Sequence, residues 1–286
     1  MQRKLILEFT KMNGAGNDFI VIDNRFFNFS DDELADLARR LCPRRVGIGA
    51  DGVLAFARPL DKAHHYRMRY VNADGSMGTM CGNGARCLAR FARQAGFADE
   101  TFRFESDAGV YRATVSPEPD GPVRLFVPPP KHWMPDRKLA ADRPEALGAV
   151  HYLWVGTEHA VCFVDDVAAT PVEDWGPIIR HDQALAPAGA NVDFVQVLDK
   201  GQHQQPAVLR VRTFEKGVEQ ETLACGTGAL ASALVARLLG HIESESVQVH
   251  MPGGTLGVGF HLDDGAVTEL YLEGPAVTVF RATVEV

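Results

Sequence analysis

The pattern Cys-Gly-x-Gly-Ala occurs twice in this chain, at Cys81-Gly82-Asn83-Gly84-Ala85 and at Cys225-Gly226-Thr227-Gly228-Ala229. The chain has 286 residues, and positions 81 and 225 lie 144 apart, about half its length. Each copy runs into small and apolar residues that read as a helix, Leu88 to Arg93 after the first and Leu230 to Ala236 after the second. A repeat of that period is not a solenoid array. It constrains the fold to two related halves, each holding one cysteine at the entrance of one helix.

A helix start presents unpaired N–H groups and the positive end of the helix dipole. A thiol there is expected to have a lowered pKa, and the same spot holds anions. Glycines on either side of the middle residue are expected to allow close backbone approach to a ligand and positive φ. One copy alone is equally compatible with a small buried cysteine. Two equivalent copies suit a reaction that needs two acid/base groups, one on each face of a carbon. Inverting a stereocentre by proton transfer is such a reaction, with the helix ends cradling a carboxylate as charge spreads into it.

Totals narrow the field further. The length suggests two domains. A net charge of -8 and a pI near 5.7 argue against nucleic acid or an anionic membrane as partner. No apolar run reaches membrane-span length and no signal peptide is evident, so a cytoplasmic protein is expected. Five cysteines, with no Cys-x-x-Cys pair, make a poor disulfide framework and an improbable zinc site. Cys42, Cys162 and Cys87 are read as structural. No pyridoxal-phosphate signature is seen, so no cofactor and no metal are expected. Oligomeric state is not legible; a homodimer is the assembly considered.

Along the chain, strands are read at Lys4–Phe9 and Phe19–Asp23 around a Gly-rich loop, Lys11–Asp18. A Ser30-capped helix follows, with Leu34, Leu37, Ala38 and Leu41 at helical spacing. Further strands are read at Val53–Ala57, Tyr66–Val71, Phe102–Glu105 and Tyr111–Val115. After the proline-rich stretch 117–130 come Tyr152–Val155, Ala160–Val164, a strand opening at Asn191, Val208–Phe214, and a strand-rich tail. The expected fold is α+β, with two pseudo-symmetric lobes, each a mixed sheet wrapped around a central helix. The expected division is residues 1–127 as the N-terminal lobe, with strands 275–286 returning to it, and 128–274 as the C-terminal lobe.

The stretches Phe9–Phe19, Gly47–Gly52, Asn72–Ser76, Cys81–Cys87, Asn191–Phe194 and Glu221–Ala229 together resemble the diaminopimelate epimerase family, in order and over almost the whole chain. The resemblance implies cofactor-independent interconversion of LL- and meso-diaminopimelate, on the way to lysine and peptidoglycan, with the site between the lobes. It implies that Cys81 and Cys225 are the catalytic thiols, paired with His159 and Glu215 respectively. It further implies that Gly82, Asn83, Gly226 and Thr227 hold the reacting carboxylate, and that Asn13, Asn72 and Asn191 bind substrate. Taken alone, each of those three asparagines reads as a turn former, and His159 as a structural histidine.

Three departures from the family pattern stand out. The usual Glu-Arg-Gly reads Glu215-Lys216-Gly217, which keeps the charge that would grip a distal carboxylate but loses the bidentate fork. One extra residue lies within Val218-Glu219-Gln220, and the usual Asn-Pro-His reads Thr157-Glu158-His159. Two alternatives therefore stay open. One is an epimerase of the same fold acting on another amino acid, of histidine or hydroxyproline type. The other is a thiol redox or amino-acid-binding protein.

Overall fold

A computed structural model describes residues 5–142, 144, 147–202 and 205–286. The chain forms two compact units, one made of the described residues up to Leu125 with Gly274–Val286, the other of Phe126–Glu273.

In the first unit, strands β1 (Ile6–Gly14) and β2 (Asn17–Ile22) form a tight antiparallel hairpin. A one-turn helix α1 (Asn24–Phe27) and the helix α2 (Asp31–Leu41) follow. Then come β3 (Gly52–Ala57), β4 (Tyr66–Asn72), β5 (Met77–Gly78), α3 (Gly82–Gln94), β6 (Thr101–Ser106), β7 (Gly109–Val115) and β8 (Val123–Phe126). Helix α2 begins where Ser30 accepts from the Glu33 amide while the Glu33 carboxylate takes the Ser30 N–H, a complete capping box. Its buried Leu34, Leu37, Ala38 and Leu41 pack with Ile20, Ile22, Val53, Ala55 and Val71 on one face of the sheet. Helix α3 covers the other.

The second unit contains β9 (Lys131–Met134), β10 (Val150–Trp154), β11 (Glu158–Phe163), α4 (Val172–Arg180), β12 (Asn191–Asp199), β13 (Ala207–Glu215), β14 (Gln220–Thr222), α5 (Gly226–Leu238), β15 (Ser246–Met251), β16 (Gly254–Asp263) and β17 (Ala266–Gly274). The last strand, β18 (Val277–Glu285), belongs to the first unit and pairs antiparallel with β1.

Strand pairing shows the duplication directly. In the first unit β1–β2 is antiparallel, β2–β3 parallel, β3–β4 and β4–β5 antiparallel, β4–β6 parallel and β6–β7 antiparallel. In the second, β10–β11, β11–β12, β12–β13, β13–β14, β13–β15 and β15–β16 repeat that series sense for sense. Helices α2 and α4 fall at the same point of the series, as do α3 and α5. Each unit is thus a mixed sheet with an outer helix on one face and a buried helix against the other. Helix α5 is buried at every residue from Gly228 to Ala236, as a helix apolar on all sides must be.

The short elements α1, β5, β8, β9 and β14 were not read from sequence, and two larger differences have a physical reason. The polar stretch from Lys11 is not a loop: β1 continues to Gly14, and only Ala15-Gly16 turn. Strand is tolerated there because the buried Lys11 ammonium reaches Asp18 Oδ2 at 2.7 Å and the Gly49 carbonyl. Helix α4 was not read at all. Its Pro171 cap makes no side-chain hydrogen bond and Pro177 lies inside it, which masks the charge signals of Glu173, Asp174 and Arg180 at its ends. Packing of Val172 and Ile179 on Phe194 and Phe214 holds it instead.

Candidate active site

In the first unit Cys81 is the N-cap of α3, in extended backbone, and its Sγ accepts from the Gly84 amide at 3.5 Å. The thiol also faces Asn17, donating to Oδ1 at 3.6 Å. That oxygen takes a second bond from Asn83 Nδ2 at 3.4 Å, while Asn17 Nδ2 donates to Asp51 Oδ2 at 2.5 Å. The Asp51 carboxylate therefore fixes which end of the Asn17 amide faces sulfur. Beneath, Arg86 is fully buried, donating from Nη2 to Asn83 Oδ1 at 2.9 Å and from Nε to the Pro275 carbonyl at 3.4 Å. Its Nη1 has no partner among the described residues, and burial pushes its pKa down.

The second unit places Cys225 at the N-cap of α5, 6% exposed, with Thr227 Oγ1 3.5 Å from Sγ. Four polar side chains on the helix-facing side of the sheet surround this end. His159 is the second residue of β11 and Asp193 lies on the parallel neighbour β12, where residue 159 is in register with 191. Thr213 is directly opposite Asp193 on β13, and Glu215 follows two residues later on the same face. His159 Nδ1 lies 2.7 Å from Asp193 Oδ2, and Thr213 Oγ1 donates to Asp193 Oδ1 at 2.7 Å. His159 and Asp193 are both fully buried.

The electrostatics here depart from the sequence expectation. A helix start was expected to lower a thiol's pKa, yet burial pushes Cys225 well above the ordinary thiol value, and the charges of Glu215 and Asp193 push the same way. Desolvation outweighs the dipole. Glu215 is raised too, by burial first and by Asp193, with His159 pulling it down. At neutral pH Cys225 accordingly rests as a thiol.

The expected glycine conformations also differ. None of Gly82, Gly84, Gly226 and Gly228 has positive φ, because each lies inside its helix. At two of them the lack of a Cβ makes room for the chain's own side chains: a Cβ on Gly84 would meet Leu54 Cδ2 at 2.9 Å, and one on Gly228 would meet Asp193 Oδ1 at 2.4 Å.

The other residues singled out in sequence divide by unit. Asn13 and Asn72 are in the first, and each makes a local bond, Asn13 Oδ1 accepting from Gly16 N at 3.1 Å and Asn72 Nδ2 donating to Ser76 Oγ at 3.0 Å. Asn191, Lys216 and Thr227 are in the second. Asn191 ties the start of β11 to the turn after β13, accepting from Lys216 N at 2.9 Å and donating to the Glu158 carbonyl at 3.1 Å. The Lys216 ammonium pairs with the Glu158 carboxylate, which also takes the Thr157 hydroxyl at 3.0 Å. Two of the residues that depart from the family pattern, Lys216 and Glu158, are thus partners in one ion pair.

No cysteine is in a disulfide. Burial pushes Cys42 up to about 11 and Cys87 up to about 12. At pH 8 roughly one Cys42 thiol in 10³ is then ionised, and Cys87 fewer still. Alkylation with iodoacetamide at pH 8, mapped by mass spectrometry, is expected to modify Cys81 and leave Cys42 and Cys87 intact until the protein unfolds. Among the described residues no cluster of His, Cys, Asp and Glu suits a metal ion, and no helix is long and apolar enough to cross a membrane.

Sequence reasoning missed Asn17, Arg86 and Asp193 as neighbours of the thiols. A signal existed for the last: in Asn191-Val192-Asp193-Phe194 the apolar residues alternate with polar ones, so an acid shares a buried face with Asn191 and needs a partner.

The family model described as diaminopimelate epimerase matches residues 9–125 and 151–279. A diaminopimelate epimerase from Chlorobaculum tepidum is 41% identical over 278 residues, covering 96% of this chain and 99% of that one. One from Methanocella arvoryzae is 41% identical over 288 residues, covering 98% and 97%. Among solved structures, a PhzF-family phenazine biosynthesis protein from Bacillus anthracis superposes with a TM-score of 0.73 at 13% identity, covering 99% of this chain and 100% of that one. A hydroxyproline epimerase from Agrobacterium vitis does so with 0.65 at 15% identity, covering 100% and 93%. These two likenesses speak to the fold.

Proposed function

The chain belongs to the diaminopimelate epimerase family, and from that premise we propose that it inverts one α-carbon of diaminopimelate, interconverting the LL and meso forms for lysine and peptidoglycan synthesis. The observation that carries the reading is the paired placement of a cysteine at the N-cap of a buried helix, at the same point of two identically ordered sheets. An amino acid is the substrate. Inversion needs one group to take the α-proton and another to return one on the opposite face.

Cys225, held as a thiol by burial, is the donor when the bound epimer presents its proton to Cys81; the other epimer reverses the parts. The base sulfur takes the α-proton as the C–H electron pair stays on carbon, the opposite thiol gives up its own proton, and the enzyme ends with the two sulfurs' protonation exchanged. The N–H groups at each helix start, with Asn83 and Thr227, receive the charge that spreads into the α-carboxylate. His159 and Glu215 are the groups that trade protons with the thiols between turnovers.

The test is α-deuterium incorporation from deuterated water, with LL-diaminopimelate run beside histidine and hydroxyproline. Exchange and interconversion of diaminopimelate alone is the expected result. A second reading keeps the chemistry and changes the amino acid, because the Lys216 charge is already matched by Glu158 rather than free for a distal carboxylate. Exchange of another amino acid without diaminopimelate would establish it.

A further inference from the structure

We propose that Asp193 is a positioning residue, whose buried carboxylate holds His159 with a proton on Nδ1 and leaves Nε2 as the bare nitrogen that accepts and releases protons. The inference rests on the reading of His159 as a proton-handling group. It adds a residue that neither the repeated motif nor the family resemblance assigns a part.

Three features of the second unit carry it. The contact between His159 Nδ1 and Asp193 Oδ2 is 2.7 Å, and both side chains have no exposed surface. A carboxylate can only accept, so an ionised Asp193 requires the hydrogen on Nδ1, and in the neutral ring Nε2 then carries a lone pair. The second carboxylate oxygen is occupied by the Thr213 hydroxyl at 2.7 Å, which pins the carboxylate plane from the next strand. Such a fully bonded carboxylate leaves the imidazole one orientation.

The other ring nitrogen supplies the second feature. His159 Nε2 is buried and has no hydrogen-bond partner among the described residues. Leaving a buried polar nitrogen unpaired is unfavourable in a structural histidine. It is what a nitrogen that exchanges a proton with an incoming group requires.

The third feature is the close fit of Asp193 under the cysteine helix. A Cβ at Gly228 would lie 2.4 Å from Asp193 Oδ1 and 3.1 Å from Thr213 Oγ1. Glycine at the fourth position of the second motif therefore makes room for this carboxylate three residues from Cys225. In the first motif the equivalent Gly84 faces Leu54, so the acid is particular to one half.

The test begins on the unmodified protein. Two-bond proton–nitrogen correlation spectra of protein labelled with 15N-histidine distinguish the two neutral tautomers, and the His159→Gln spectrum identifies the signal among the ten histidines. A protonated Nδ1 with an unprotonated Nε2 is expected. The reverse tautomer would overturn the proposal, and this arm does not depend on whether any variant folds. The second arm is Asp193→Asn, which preserves shape but removes the charge. Loss of a partner that orients a proton-handling group is expected to lower kcat by about 10- to 100-fold, with KM within about threefold; an unchanged kcat in a folded variant would overturn the proposal. Failure of the underlying reading is separable: His159→Gln would then exchange the substrate α-proton at the normal rate, whatever the tautomer.

Discussion

Replacing Cys225 or Cys81 by alanine is expected to lower the rate of epimerisation by about 10² to 10⁴-fold, the usual contribution of one positioned acid or base. The two variants should fail in a recognisable way. With one thiol left, a proton can leave and return only on that thiol's face. Residual exchange of the α-proton with deuterated water should therefore proceed with retention, and the two variants should differ in which epimer exchanges. Proton NMR of each stereoisomer incubated with each variant reads both quantities. Inversion at the normal rate by either alanine variant would end the two-thiol reading. Neither substitution should unfold the chain: Cys225 is a small side chain at a helix cap, and the helix behind it is held by continuous burial from Gly228 to Ala236.

Gly228→Ala should do more damage than its size suggests. In an exposed helix this change would stabilise by about 0.5–1 kcal/mol. Here the added methyl would fall 2.4 Å from Asp193 Oδ1, an atom already bonded to Thr213 and belonging to a carboxylate locked on His159. Overpacking of that kind typically costs 1–3 kcal/mol, so a net loss of about 1–2 kcal/mol is expected in chemical denaturation, together with a fall in kcat. Gly84→Ala is the internal control. Its methyl would meet Leu54 Cδ2 at 2.9 Å, the movable end of an aliphatic side chain, and a smaller loss is expected. Equal effects at the two positions would mean that Asp193 yields as easily as Leu54.

Much of the fold was legible because it is written in local rules. Ser30 with Glu33 marks the start of α2, and the apolar residues of that helix recur at its own period. The cysteine motifs each open a helix at the expected residue. Where reading failed, local rules were overruled by distant partners. Lys11 looks like loop and is strand, because Asp18 and Gly49 satisfy its charge. Helix α4 has no side-chain N-cap bond and carries a proline, and it stands on contacts with Phe194 and Phe214, distant in sequence.

The site divides along the same line. The letters alone singled out both cysteines, His159 and Glu215 as candidates, and placed each cysteine at a helix entrance, since repetition and turn chemistry are properties of contiguous residues. They could not say that Cys225 would be so deeply desolvated that its thiol is held protonated, reversing the effect expected of the helix end. Nor could they say that Lys216 and Glu158 form one pair, or that Asp193 reaches His159 across 34 positions of sequence. Burial and hydrogen-bond partnership are decided by neighbours contributed from other strands, and those neighbours exist only once β11, β12 and β13 lie side by side.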